Sequence, residues 1–251
     1  MRYSFFLIGL LIILFSCNSS LVISEIKKEN ISNEPTTLSP DSSIIQLVLP
    51  YKQNLEDDMS KVISISNEEL TKAKPESKLT NLMADFLLNA GNSYCNESNK
   101  GFVPDMAFVN YGGLRVSLPR GEITVGNIFE LMPFENEMVL LKLSGKTMLE
   151  FAQQIAARGG DGVAGITLGI KDGAVGTFVI GGEAFNQNKD YWVVTNDYIA
   201  NGGDDMKMLV DRKDFISTGL KIRSLILESL NNQYKAGNRI QVQLDGRIYN
   251  E

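Results

Sequence analysis

Two runs of strand character, Ile166–Lys171 and Ala174–Ile180, are separated by Asp172-Gly173 alone. Asp-Gly readily supplies the positive φ that a two-residue hairpin turn requires, so the two runs are expected to pair antiparallel. Around this hairpin lie stretches of helical period. Leu79, Leu82, Met83, Phe86 and Leu87 fall on one face of a helix expected over 77–94. Thr124 can cap a short helix to Met132, and Ser144 opens another through Ala157. A last helix is expected over 218–235, with Leu220, Leu225, Ile226 and Leu230 inward. Strands are expected over 62–66, 105–110, 137–143 and 191–195, with a closing pair, 239–244 and 247–249, around Asp245-Gly246. Residues 159–165 read as a flexible glycine loop. Helices mixed with hairpin-joined strands argue for an α+β domain.

The N-terminal residues stand apart. A short basic start leads into an apolar run of about eleven residues, 5–15, too short to span a bilayer. It ends in Leu14-Phe15-Ser16-Cys17, which looks like a lipobox. On that reading residues 1–16 are a lipoprotein signal peptide and Cys17 is acylated. The alternative is an ordinary signal, or a short anchor with a chance Cys. Residues 17–40, rich in Asn, Ser, Glu, Lys, Thr and Pro, read as a flexible tether. The folded part is expected over 41–251. Asp41 is a plausible N-cap, and Tyr51, Leu55, Met59 and Val62 recur at helical spacing around Pro50. With Cys17 acylated, Cys95 has no intramolecular partner, and no disulfide framework is expected. Cys95 reads as a half-buried thiol at a helix end.

The chain contains no histidine, which removes imidazole-based metal sites and Ser-His-Asp or Cys-His chemistry. An all-carboxylate Mg²⁺ site stays open, but Asp57-Asp58 and Asp204-Asp205 are adjacent pairs rather than a cluster. No metal is therefore expected in this chain. A net charge of −6 and the lack of a basic run argue against a nucleic-acid polymer as partner, though not against a small anion.

Three loops carry chemistry. In Asn110-Tyr111-Gly112-Gly113-Leu114-Arg115, paired glycines let backbone approach a ligand and Arg115 offers a planar fork for phosphate. A tight turn with a solvated Arg is the alternative. In Pro133-Phe134-Glu135-Asn136 an aromatic can stack a base and an amide read its edge; a core Phe after a helix stop is the alternative. In the loop from Asn196 to Asp205, Tyr198 gives a second flat face. Asp204, behind Gly202-Gly203, can accept hydrogen bonds from vicinal hydroxyls. That loop can equally be a surface turn.

Taken in order, these loops resemble the C-terminal domain of the 5′-nucleotidase family. The matching elements are the Glu76-Ser77-Lys78-Leu79-Thr80-Asn81-Leu82-Met83-Ala84-Asp85 segment, 110–115, Gly121-Glu122-Ile123-Thr124, Pro133 to Asn136, Leu143-Ser144-Gly145-Lys146 and 198–204. The resemblance covers about residues 45–250 and implies a four-layer α/β/β/α domain. It implies phosphate binding by Arg115, site lining by Asn110, base stacking by Phe134 and Tyr198, base-edge contact by Asn136, ribose contact by Asp204 and ligand contact by Gly160. Family members commonly carry Phe where this chain has Tyr198.

Two departures accompany it. The family usually has further Arg residues upstream of the Glu-Ser segment, where this chain reads Thr71-Lys72-Ala73-Lys74-Pro75. Lys72 or Lys74 can substitute only as point charges. Full-length members also carry a metallophosphoesterase domain built on His, Asp and Asn. The expectation is thus the substrate-binding half of a split nucleotidase of nucleotide catabolism. It would bind a nucleoside monophosphate or nucleotide sugar and act with a separate metallophosphoesterase holding Zn or Mn. Exported and anchored through Cys17, it would sit at the outer membrane facing the periplasm. The alternatives are a stand-alone nucleotide-binding lipoprotein for scavenging or sensing, and a structural lipoprotein with a vestigial site.

Overall fold

The computed structural model describes residues 41–251. The signal peptide, Cys17 and the tether fall on residues 1–40 and lie outside the described part. Residues 48–251 form one compact unit.

Asp41 caps α1 (Ser42–Ser60): its Oδ1 accepts the Ser43 N–H at 2.8 Å, and the helix runs through Pro50. Tyr51 and Leu55 are exposed on it. After β1 (Val62–Ser66), Ser77 begins α2 (Lys78–Glu97) with a reciprocal capping box to Thr80. The five apolar residues expected on one face of α2 are all buried. Cys95, near its end, is fully rather than half buried. Next come β2 (Met106–Val109), a 3₁₀ turn (Tyr111–Gly113) and β3 (Gly121–Thr124). Thr124 caps α3 (Val125–Leu131), and β4 (Glu137–Ser144) leads directly into α4 (Gly145–Ala157), whose N-cap is Ser144.

The remaining elements are mostly strands. They are β5 (Gly162–Ala164), β6 (Ile166–Lys171), β7 (Ala174–Ile180), β8 (Glu183–Ala184) and β9 (Asp190–Asn196). A one-turn helix α5 (Asp197–Ala200), two 3₁₀ turns, β10 (Asp214–Lys221), α6 (Ile222–Lys235) and β11 (Ile248–Asn250) complete the chain.

The central sheet has five strands in the order β10-β4-β9-β2-β5, all neighbours antiparallel except β2 and β9. A second sheet has the order β11-β6-β7-β8, and β1 pairs with β3 in a third. Alternation along the central strands sends their side chains to two cores. Ala107, Val109, Met138, Leu140 and Val194 join α2 and α6 in one; Met106, Phe108, Val139, Leu141 and Val193 join α4, β6 and β7 in the other. Helix α4 packs against strands of both large sheets. The α+β class is as expected, and the packing is layered.

Three local expectations are corrected. Residues 159–165 are not simply a loop: β5 lies within them and pairs with β2, Val109 opposite Gly162. A Cβ on Gly162 would stand 3.0 Å from the Val109 carbonyl oxygen, so the close pairing suits glycine. The last helix starts at Ile222, not 218, because the preceding residues form β10 along the edge of β4. Leu220 is therefore exposed on a strand. The expected pair 239–244 with 247–249 does not form. Glu76 accepts the N–H groups of Asp245 and Gly246, and Arg247 reaches Asp85, which pins the turn to α2. Freed from its hairpin, β11 runs parallel to β6 instead.

Candidate functional site

All three glycine-bearing or aromatic loops issue from the same end of the central sheet. The 110–115 loop leaves β2, the 133–136 loop enters β4, and 197–205 leaves β9. Since β4, β9 and β2 are adjacent, the loops meet. Between them is a cavity of about 330 Å³ lined by Asn110, Gly112, Gly113, Arg115, Phe134, Asn136, Tyr198 and Asp204. Six of the seven expected ligand-contacting residues are thus brought together. Gly160 is not among the lining residues. It is buried, with φ +107, and a Cβ there would lie 2.4 Å from the Pro75 carbonyl oxygen, a close backbone approach that requires glycine.

Phe134 and Tyr198 remain 54% and 50% exposed, unusual for rings this close to a well-filled core. Neither takes part in an aromatic pair among the described residues. The Tyr198 ring rests on Gly203, where a Cβ would fall 2.5 Å from the nearest ring atom. The Phe134 loop is fixed from beneath by Arg223, itself buried. Its guanidinium donates to the Met132 and Pro133 carbonyls, each at 3.0 Å, pairs with Glu135 and lies over the Phe129 ring.

Asp204 is the one carboxylate in the lining. Asn110 donates to its Oδ2 at 2.7 Å, while Asn196 donates to Asn110 Oδ1 at 3.1 Å and so orients that amide. The Tyr198 hydroxyl donates to Asp204 Oδ1 at 2.9 Å. Asn136 donates to Asp197 Oδ1, and its own side-chain Oδ1 accepts no hydrogen bond among the described residues.

Several contributors escape the sequence reading. Arg158, the C-cap of α4, donates to the Asp204 carbonyl at 2.7 Å and pairs with Asp161 at 3.1 Å. Asp161 in turn accepts the Tyr111 N–H at 2.8 Å. Its side chain is wholly buried, and burial raises its carboxyl above the ordinary range against the pull of Tyr111 and Arg158. The signal for Arg158 was a cation at a helix C-terminus; for Asn196 it was an Asn opening a helical turn.

Arg115 is exposed, and its guanidinium makes a single long hydrogen bond, 3.3 Å, to the Gly112 carbonyl. It is the one cation in the lining. The two upstream lysines turn to backbone: Lys72 donates to the carbonyls of Tyr111 and Leu114, and Lys74 to that of Arg158. Burial, then the charge of Arg115, lowers the Lys72 ammonium below its usual value. Among the described residues no three His, Cys, Asp or Glu converge as a metal site.

Two half-exposed rings, an amide pair, one carboxylate and one free guanidinium around a single cavity define a small-ligand site suited to a flat, polar-edged molecule. The family model of the 5′-nucleotidase C-terminal domain matches residues 59–211, which contain every lining residue. The chain belongs to that family. It is 25% identical over 187 residues to a 5′-nucleotidase of Vibrio cholerae, an alignment covering 72% of this chain and 33% of the relative. It superposes on a 5′-nucleotidase precursor from Thermus thermophilus with a TM-score of 0.69 at 26% identity, covering 82% of this chain and 42% of the other. A Haemophilus influenzae NAD nucleotidase shares the fold, with a TM-score of 0.61 at 18% identity and coverage of 84% and 41%. The chain thus spans less than half the length of these proteins.

Proposed function

We propose that this domain binds the nucleoside portion of a nucleoside monophosphate or nucleotide sugar, and serves as the substrate-binding half of an extracytoplasmic nucleotidase. The observation that carries this reading is the joint lining of one cavity by Phe134, Tyr198, Asn136, Asp204 and Arg115. The base lies against the two rings, Asn136 meets its edge, Asp204 accepts from ribose hydroxyls and Arg115 faces the phosphate. Hydrolysis belongs to a separate metallophosphoesterase carrying Zn or Mn. Export and attachment through an acylated Cys17 bring both to the periplasmic face of the outer membrane. No helix among the described residues is long and apolar enough to cross a membrane.

Calorimetric titration with AMP, adenosine and a UDP-sugar tests the binding. Saturable heats for AMP and adenosine are expected; no heat with any of the three rejects the reading. A second reading, a binding lipoprotein that acts without a hydrolase, is favoured by one observation. Lys72 and Lys74 are engaged with backbone carbonyls, so Arg115 meets a phosphate alone. On that reading adenosine and AMP bind with similar affinity.

A further inference from the structure

The Gly203–Asp205 turn is held in an unusual backbone conformation. Asp204 has φ 51 and Asp205 φ 61, both in the left-handed region that non-glycine residues rarely occupy. Such consecutive strained residues persist only where neighbouring groups over-determine them. Here the determining group is the Tyr198 hydroxyl. It accepts the Asp204 backbone N–H at 3.2 Å and donates to Asp204 Oδ1 at 2.9 Å, closing a ring around one residue. Asn110 holds the other carboxylate oxygen, and Arg158 holds the Asp204 carbonyl. The Arg158 guanidinium also lies 3.7 Å from Oδ2, so the carboxylate is oriented before any ligand arrives, while Oδ1 has the Tyr198 hydroxyl as its one hydrogen-bond partner among the described residues.

We infer that Tyr198 is a positioning residue for sugar selection, in addition to its role as a stacking ring: its hydroxyl latches Asp204 so that the carboxylate meets the cis-diol of a ribose and discriminates against 2′-deoxyribose. The inference rests on the nucleoside-binding reading given above. A phenyl ring at this position keeps the flat face and loses the latch. Asp204 then loses the partner of its Oδ1 and of its N–H, and only Asn110 and Arg158 still hold it. Preorganisation matters because a hydroxyl left without an acceptor in a partly dehydrated site costs more than a good hydrogen bond gains.

The test is Tyr198→Phe in the full chain, with two measurements. Calorimetry with adenosine and 2′-deoxyadenosine gives the ribose-to-deoxyribose affinity ratio. The variant is expected to lower that ratio by about three- to tenfold, the effect of one oriented hydrogen bond. An unchanged ratio in a variant that still binds both nucleosides overturns the sugar-selection role while leaving the nucleoside-binding reading intact. Amide exchange in the ligand-free protein reads the latch without a ligand. Exchange at Asp204 is expected to accelerate in the variant, with exchange in β4 and β9 unaltered. Unchanged exchange at Asp204 overturns the latch itself. A wild-type chain that binds neither nucleoside removes the nucleoside-binding reading, and the sugar-selection role with it.

Discussion

At the scale of single residues, exposure separates groups that hold the fold from groups that wait for a ligand. Phe134 is 54% exposed although Arg223 holds the two backbone carbonyls before it and pairs with the Glu135 side chain after it. Its ring therefore contributes little to folding and a great deal to any stacked base. Phe134→Ala is expected to weaken adenosine binding by ~1–3 kcal/mol, read by calorimetry, with the melting temperature nearly unchanged. A large loss of thermal stability with affinity preserved would show the ring to be core instead. Gly203 behaves oppositely. A methyl group there would sit 2.5–2.7 Å from three Tyr198 ring atoms, so Gly203→Ala must push the ring into the cavity or shift the turn. Both the folding stability and the affinity should fall, the former by the ~1–3 kcal/mol typical of overpacking. Retained affinity at wild-type stability would mean that the ring has room to move aside.

At the scale of elements, the end of α4 is what ties two of the site loops together. Arg158 grips the Asp204 turn, and its partner Asp161 grips Tyr111 at the start of the glycine loop. Burial holds the Asp161 carboxyl above its ordinary 3.8, so ionising it costs more in the fold than in the unfolded chain. The sign follows: stability contributed by this group is fully present below the unfolded value and is lost as pH rises through the raised folded value. Asp161→Asn does not titrate. The stability advantage of wild type over this variant should accordingly narrow as pH rises above about 4, measured as the difference in melting temperature. A gap that widens with pH would mean that the attraction to Arg158 outweighs burial. This pair was invisible in the sequence because an Arg and an Asp three apart beyond a helix look like solvated charges. Elements with local signatures were legible: Ser77, Thr124 and Ser144 each announce a helix by a capping side chain. Elements defined by partners elsewhere were not. Gly162–Ala164 is too short for any period, and Asp214–Lys221 is an exposed edge rich in Ser, Thr and Gly. Only pairing with β2 and β4 makes them strands. The site had the same character. Each loop alone reads more readily as a plain turn; the resemblance links them, and adjacency of β4, β9 and β2 brings them together.

At the scale of the whole molecule, the donors available decide what the cavity can do alone. Its lining offers one carboxylate and one guanidinium, no imidazole, and the carboxylate is already held by Asn110 and Tyr198. Phosphate ester hydrolysis assisted by two metal ions needs a set of carboxylate, imidazole or amide ligands that these residues do not make up. The chain also covers only 33% of the Vibrio cholerae relative and 42% of the Thermus thermophilus one. If the remainder of the work resides on another polypeptide, binding energy from Phe134 and Tyr198 is useful only when the phosphate reaches that partner's metals. Turnover must then depend on this chain's rings although no ring touches the reacting atoms. The expected result is that AMP with Mn²⁺ and this chain alone releases no phosphate above background. Addition of the chain to a co-exported metallophosphoesterase raises its kcat/KM, and Phe134→Ala removes about tenfold or more of that gain, as loss of one stacked base implies. A gain untouched by Phe134→Ala would place the cooperation elsewhere than in this cavity. Phosphate release by the purified chain after chelation of metals would show a hydrolytic centre that the described residues do not account for.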